Sequence, residues 1–449
     1  MHPVSIVVLD NGASSVKAGL TGAPNPDPRI IPNAVIRSKG DKATYFGHEF
    51  ERCRDYSSLH YRLPFEKGFL VDWDAQKAVW DGIFSDEVLG IDTTNSSLLI
   101  TEPYFNLPNI QDVYDQFVFE EYEFLSYYRC TPASLIPYGD LFSRPGSPQP
   151  ECMLLVDSGF SFTHVVPILD GQIVWNAVKR LDVGGKLLTN HLKELISFRQ
   201  WNMMDETYIM NQVKESCCYV SLNHKQDLET CWSNPKSNPI VQEYILPDLT
   251  TNRSGRIRKP DDILTDHDQI LIMNNERFTV PEILFRPDDI GLDQMGLASA
   301  ISSSIGLLPE ELQGLFWANL GLIGGNTKFP NFHSRLLCEL RSLAPVDCEV
   351  VIYECDEPIT EAYRAALKFC GMPQFVQQAV TRSEYAEYGS NASRRKFHDW
   401  KLAEFEKEKF KEVAKAKGKQ REEDRTQAPT KSTKTRSKTA ISSTAQRRR

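Results

Sequence analysis

Metal-spaced cysteines, long apolar runs and a leader segment are all missing from this chain. None of its ten cysteines stands in a C-x-x-C pair or a Cys/His cluster with zinc-ligand spacing. That argues against a structural zinc site and fits scattered thiols in a reducing compartment. No run of about 18 apolar residues occurs, so neither a membrane-spanning helix nor a membrane partner is expected. Met1-His2-Pro3 leads straight into a strand-like run with no charged n-region or cleavage site, from which we expect an intracellular protein. What the chain does have is length and an uneven charge. Its 449 residues, 41% hydrophobic, can bury the core of about two or three domains. Residues 394–449 hold 19 Lys and Arg against 8 Asp and Glu, while residues 1–393 hold 32 against 52. An acidic body thus carries a basic tail. The body is not expected to hold nucleic acid tightly; any such contact would fall to the tail and be sensitive to salt.

Two segments 147 residues apart share one design. Ile6-Val7-Val8-Leu9-Asp10-Asn11-Gly12-Ala13-Ser14-Ser15-Val16-Lys17 and Met153-Leu154-Leu155-Val156-Asp157-Ser158-Gly159-Phe160-Ser161-Phe162-Thr163-His164 each run from an apolar strand through Asp, a small polar residue and Gly into a second strand. The pattern predicts two β-hairpins whose turns face a common cleft. Gly- and Ser-rich turns offer backbone N–H groups to phosphate, and an adjacent Asp can hold a hydrated Mg²⁺. Phe160 and Phe162 alternate, so one of them can fill space that water would otherwise take.

Between and beyond the hairpins, residues 24–65 read as Pro-rich and irregular. Asp72-Trp73-Asp74 opens a helix whose apolar face includes Val79, Trp80 and Ile83; Trp73 and Trp80 read as core residues. A buried strand is expected at 97–101, a helix at about 109–122 and a linker at 143–150. Two helices are expected within 182–222 and an exposed insertion at 233–268. A strand is expected at 269–278 and a helix beginning at Pro281. Strand, Gly turn and helix follow over 321–343, and a strand over 348–353. After Arg394 the chain has helical composition to about Lys417, with like-charged pairs that weaken an isolated helix, and beyond Lys419 its composition is that of disordered chain.

Three further segments bear on the cleft. Val183-Gly184-Gly185-Lys186 sets a Gly pair before a helix. Val213-Lys214-Glu215 puts opposite charges side by side on a helix, and taken alone reads equally as a solvated pair. Gly324-Gly325-Asn326-Thr327 allows close backbone approach. Together with the two hairpins, and in this order over roughly residues 4–390, they resemble the actin superfamily. Within it, the nuclear actin-related subunits of SWR-type chromatin remodellers are the nearest match. The residues that carry this are Leu63-Pro64-Phe65-Glu66-Lys67-Gly68, Thr101-Glu102-Pro103-Tyr104-Phe105-Asn106, the second hairpin, 183–194, Met204-Asp205-Glu206-Thr207 and Pro281-Glu282-Ile283-Leu284-Phe285.

The resemblance implies an α/β actin-like fold of two large lobes, each a mixed sheet flanked by helices, with a nucleotide cleft between them. Residues 1–145 plus 337–390 would form lobe 1 and 146–336 lobe 2, with an inserted segment at about 247–270. Residues 391–449 would be a basic tail, part helical and mostly disordered. It implies ATP and Mg²⁺ as ligands, with Asp10, Gly12, Ala13, Ser14, Lys17, Asp157, Gly159, Phe160 and Ser161 on the phosphate side. Lys214, Glu215, Gly324, Gly325, Asn326 and Phe329 would lie on the nucleoside side. Asp10 and Asp157 would hold the metal through water. Occupancy of that site stays open at the level of sequence.

Departures from actin point away from hydrolysis. Ala13-Ser14 stands where actin has Ser-Gly, and Phe160-Ser161 where it has Asp-Gly. Pro132 falls where actin's water-positioning Gln is aligned, and offers no side-chain amide. Ala365-Ala366 replaces a customary Gly pair on the adenine side. His164 is retained, but without the Gln it reads as a core histidine and no residue is assigned a catalytic role. The exposed loop at 38–43 is short, and Arg286-Pro287-Asp288-Asp289 replaces an apolar tip, so no homopolymer is expected. The function implied is a nuclear, non-enzymatic scaffold in a remodeller that exchanges a variant of histone H2A. Its partners would be the remodeller's ATPase subunit, a zinc-HIT-type subunit, other complex subunits and, indirectly, the nucleosome. Basic residues 253–259 of the insertion are the candidate partner contact. The alternative is an active actin-like ATPase or filament-forming cytoskeletal protein.

Overall fold

Val7, Val8 and Leu9 are fully buried, as expected of a strand covered on both faces. In the computed structural model, which describes residues 5–233, 238–248, 254–265, 268–397 and 400, they lie in the strand Ser5–Asn11. That strand pairs antiparallel with Ser15–Leu20 and parallel with Ser96–Thr101. The sheet order is Val380–Thr381, Ser126–Cys130, Ser96–Thr101, Ser5–Asn11, Ser15–Leu20, Arg29–Pro32. A second sheet repeats the plan. Cys152–Ser158 pairs antiparallel with Thr163–Leu169 and parallel with Leu320–Ile323, which pairs in turn with Ile352–Tyr353. Helices pack on both sheets, giving two apolar cores. The fold is therefore α/β, with two mixed sheets flanked by helices.

The register puts equivalent residues in equivalent places. Lys17 stands opposite Asp10 in the first hairpin, and His164 opposite Asp157 in the second. The hairpin turns are braced from behind. Asn33, fully buried, donates to the Gly12 carbonyl at 3.0 Å and to Gln76 at 3.2 Å. Gln76 belongs to the helix Trp73–Phe84, which Asp72 caps by accepting from the Ala75 amide. Trp80 of the same helix is buried and donates its indole N–H to Asn11 at 3.3 Å, so it both packs the core and anchors the turn. On the second turn, Asn326 donates to the Gly159 carbonyl at 2.8 Å, and the amide of Lys186 donates to the Phe160 carbonyl at 2.9 Å.

Several boundaries differ from the sequence reading. Residues 24–65 hold four short strands; Pro32, Asn33 and neighbouring turns cut them to four residues or fewer, too short to show a period. The expected helix start at Pro281 is a helix end: the helix is Glu276–Glu282. Proline fits there because the Arg277 carbonyl, which residue 281 would normally bond, accepts instead from the Tyr219 amide at 2.9 Å. Residues 337–353 belong with the second core, since Leu340 and Val350 pack there and Ile352–Tyr353 extends its sheet. The chain regains the first core with Glu361–Cys370, so the return falls later than residue 337. Residues 391–397 are not tail: Ala392 and Phe397 are buried in the first core, and Arg394 pairs with Asp112 at 2.6 Å. The rest of the tail reading lies outside the described residues. The insertion contributes a small sheet of Arg256–Ile257, Gln242–Ile245 and Ile270–Met273, whose Tyr244 and Leu271 join the second core. Among the described residues, no helix is long and apolar enough to cross a membrane.

Arg129 ties the first lobe together from inside. Its side chain is 3% exposed, lies 3.1 Å from Glu102 and 2.9 Å from Asp115, and donates to the Gln111 carbonyl at 3.0 Å. Removing one member of a buried ion network strands the others in a low-dielectric interior. Arg129→Met is expected to destabilise the fold by about 3–5 kcal/mol, read as a lower denaturant midpoint. An unchanged midpoint would show that Glu102 and Asp115 need no counter-charge.

Candidate functional site

The two hairpin turns open on one cleft of about 560 Å³, within the size range of small-molecule and cofactor sites. All the residues assigned from sequence line it: Asp10, Gly12, Ala13, Ser14, Lys17, Asp157, Gly159, Phe160, Ser161, Lys214, Glu215, Gly324, Gly325, Asn326 and Phe329. They come from both sheets, the two hairpin turns, and the helical segments Thr207–Cys217 and Gly325–Lys328 with its flanks. Pro132 and His164 line it as well, and no glutamine is among the lining residues. Ala365 and Ala366 do not reach it. They are fully buried in the first core, on the inner face of Glu361–Cys370, and Pro358, Ile359 and Ala362 face the cleft in that region. Phe160 and Phe162 sit in the turn before strand Thr163–Leu169, so neither is placed by strand alternation.

Beside the two hairpin turns, each carboxylate has a protein partner. Asp10 lies 3.2 Å from the Lys17 ammonium and accepts from the Thr101 hydroxyl at 2.8 Å. Asp157 accepts from the Tyr104 hydroxyl at 2.9 Å. Burial pushes the Asp157 carboxyl up to about 6, with the nearby Asp10 charge adding to it and the Tyr104 hydrogen bond opposing it. His164 is driven the other way, to about 3, by burial and then by Arg180, so its imidazole is neutral at physiological pH. The Tyr104 ring centre lies 4.4 Å from that of His164. Arg180 stacks over the Phe162 ring at 4.6 Å, and that ring fills the space beside Gly68, where a Cβ would stand 2.4 Å from it. Gly68, at φ +79°, must stay glycine on both counts.

At the opposite end, Lys214 donates to Thr189 at 2.8 Å, to Asn211 at 2.9 Å and to the Gly185 carbonyl at 3.2 Å. Burial lowers its pKa. Asn211 in turn donates to Glu215 at 2.8 Å. Gly324 has φ +93°, and a Cβ there would meet the Ser158 carbonyl oxygen at 2.3 Å. Sequence reasoning missed Tyr104, Arg180 and Asn211 as lining residues; of the two phenylalanines it offered as a filler of the cleft, both line it.

The residues present fit a nucleotide with a divalent cation. A Cβ at Gly159 or Gly325 would meet nothing closer than 3.7 or 3.9 Å, ordinary van der Waals contact, so neither position is closed by the protein itself. The carbonyls of Gly12, Ser14, Gly159 and Phe160 already accept hydrogen bonds from the protein. The Gly12 amide donates to the Asp10 carbonyl at 3.1 Å and the Gly159 amide to the Phe162 carbonyl at 3.0 Å, which leaves the N–H groups of Ala13, Ser14, Phe160 and Ser161 as what the turns have to offer an anion. Among the described residues no group of three or more His, Cys, Asp or Glu could hold a metal by itself, so a cation here would share its shell with water and phosphate, as Mg²⁺ commonly does.

The raised Asp157 carboxyl has a pH consequence. The folded state holds this proton more tightly than the unfolded chain, so the stabilisation it gives is complete at low pH and is lost as pH rises through about 4 to about 6. Asp157→Asn, which keeps an acceptor for Tyr104, is expected to gain thermal stability relative to the parent as pH rises across that window in nucleotide-free buffer. Melting curves at pH 4.5 and 7.5 check this; parallel curves at both would mean that Asp157 is not perturbed.

The sequence model of the actin family matches residues 1–398. Actin-like protein ARP6 of Cryptococcus neoformans is 50% identical over 417 residues, covering 87% of this chain and 84% of its own. Actin-related protein 6 of Drosophila melanogaster is 38% identical over 391 residues, 86% of this chain and 98% of its own. Actin-related protein 6 of Oryza sativa is 36% identical over 423 residues, with 87% and 98% covered. With the paired hairpins, their shared cleft and this similarity over most of its length, the chain belongs to the actin family, in its actin-related protein 6 branch.

Proposed function

We propose that this protein is a nuclear, non-polymerising scaffold subunit of an ATP-dependent chromatin remodeller, one that exchanges a variant of histone H2A into nucleosomes. In this reading it holds ATP with Mg²⁺ as a structural ligand and does not hydrolyse it. Nucleotide held in the cleft would stabilise the two-lobed body by mass action without turnover. Asp10, Lys17, Asp157 and the two turns would hold the phosphates and the cation. The segments around Lys214, Gly324 and Phe329 would receive the nucleoside.

One observation carries the inert reading. Pro132 lines the cleft, at about the place where the resemblance puts actin's water-orienting amide, and no glutamine stands elsewhere on the lining. Phosphoryl transfer to water depends on positioning that water in line, and a prolyl ring cannot do so. His164 does not replace it, being buried, neutral and covered by the Tyr104 ring. The partners in this reading are the remodeller's ATPase subunit and a zinc-HIT-type subunit, with the nucleosome reached through them. Its support is the similarity to the actin-related protein 6 group and the basic composition after residue 394. The basic stretch of the insertion is a weaker contact candidate than its charge suggests: Arg256 pairs with Asp262 at 3.2 Å and Arg258 pairs with Glu243. Arg253 lies outside the described residues.

A phosphate-release assay on the purified, monomeric chain tests the reading. Release indistinguishable from protein-free buffer is expected. Steady turnover that disappears in Asp157→Ala would favour the ATPase alternative.

A further inference from the structure

We propose that the outer face of the small sheet Ala43–Phe46, Val35–Ser38 and His60–Arg62 docks an acidic, extended segment of a partner protein. The inference rests on the scaffold reading above and gives one surface of the body the chemistry of its partner. Strand alternation makes the face. Ile36 is fully buried, stands between Tyr45 and Tyr61, and covers a small apolar cluster with Phe50 and Leu59. The residues on either side of Ile36 point the other way. Arg37 stands between Thr44 and His60, and Val35 between Phe46 and Arg62. All of these but the half-buried Val35 are exposed.

The two rows differ in charge. Arg62 is held by Asp72 through bonds of 2.6 and 2.7 Å, and Glu49 accepts from the Phe46 amide at 2.9 Å. That end is apolar at its centre, with carboxylates at its rim. At the other end cations are left over. Among the described residues, neither Arg37 nor His60 makes an ion pair or a side-chain hydrogen bond, and nor do the exposed side chains of Lys39, Lys42 and Arg54 in and beside the adjoining turn. The carboxylates here are turned to other partners. Asp41 accepts from the Tyr45 hydroxyl and the Arg54 amide, both at 2.9 Å, and Asp55 from the Ser57 hydroxyl at 2.6 Å. The turn itself is fixed. The Ser38 hydroxyl donates to the Asp55 carbonyl and accepts from the Asp41 amide, both at 3.0 Å, and Lys42 is held in the left-handed region at φ +54°. Cations carried on a fixed turn lose little freedom when a partner arrives.

Charge and dimensions choose the occupant. Residues 1–393 hold 32 Lys and Arg against 52 Asp and Glu, so a group of unpaired cations on this body is a local exception, and an anionic partner complements it. The face is three strands wide, about 10 Å, which suits one extended chain. Alternate residues of such a chain lie about 6.7 Å apart, the step from the Val35 row to the Arg37 row and on towards Lys39. A segment with an apolar residue on Phe46 and Val35, and acidic residues two and four places along, matches both ends at once. Duplex DNA matches less well. A broad rod of phosphates laid over the Arg37 end would bring others onto Glu49, Asp72 and the exposed Asp74.

The test is fluorescence anisotropy on the full-length chain with two probes: a labelled peptide of one leucine followed by alternating threonine and glutamate, and a labelled DNA duplex. Peptide affinity is expected to fall about tenfold or more in Arg37→Glu/Lys42→Glu and about threefold in the milder Arg37→Gln. It is expected to stay within about twofold of the parent in Lys225→Glu, a reversal on the exposed side of helix His224–Ser233. Thermal melts report whether each variant folds. Peptide binding that the folded variants leave unchanged, as it would be if the basic tail carried it, overturns the inference, and so does a parent that does not bind the peptide. A larger loss for DNA than for the peptide also overturns it, in favour of nucleic acid, and self-association of the parent that the double reversal abolishes gives the face to a second copy. Phosphate release from the same samples keeps the two readings apart. An inert chain that ignores the peptide sinks this inference and spares the scaffold; a chain that binds the peptide at Arg37 and Lys42 but turns over ATP does the reverse.

Discussion

Asp10 and Asp157 each lie near the end of a buried central strand, on the two sides of one cleft, and each is held by a partner from the protein. Asp10 has Lys17 directly across its own hairpin and Thr101 from the neighbouring parallel strand. Asp157 has a neutral imidazole across its hairpin and takes its hydrogen bond from the other lobe, through Tyr104. Taking carboxylates out of water is costly unless they are paired. The two sheets are therefore coupled at this point. The strand that ends in Asp157 is satisfied when the Tyr104 turn reaches across, and the braces behind the turns, Asn33 and Asn326, fix where the cleft walls stand.

That arrangement also separates binding from chemistry. In the proposed reading, backbone amides, Gly12, Gly159 and Lys17 would hold phosphate through geometry and charge, and these residues line the cleft. Turning over the terminal phosphoryl needs a positioned water as well. The groups near that place are Pro132, which has no donor to give, and His164, whose burial keeps it neutral and whose ring is covered. A site built this way can keep its ligand as part of the folded body, and a rigid two-lobed body is what a scaffold offers its partners.

How far the sequence revealed this depended on the distance over which each feature is encoded. The hairpins were legible because strand, Asp, Gly turn and return strand are contiguous, and because the pattern occurs twice. Every residue assigned to the cleft lines it for the same reason: each belongs to a short Gly-containing or charged segment that reads locally. Tyr104 was visible only as part of a resemblance, since its partner Asp157 lies 53 residues away and in the other sheet. Arg180 and Asn211 had no motif of their own. The helix at Glu276–Glu282 was misread because proline usually marks a first turn, and the Tyr219 amide that makes it tolerable in the last one comes from a distant segment. The late return to the first core was hidden likewise, because Ile352–Tyr353 is a two-residue strand with no period to detect.

The central claim is that the cleft retains an intact nucleotide without consuming it. Mass analysis of the small molecules released when the purified protein is denatured tests this most directly. The account expects ATP at about one equivalent per chain, as for a ligand that stabilises only the folded state, and undiminished after prolonged incubation of the native protein. Conversion of that ATP to ADP over the incubation, or a cleft that releases no nucleotide at all, would contradict it.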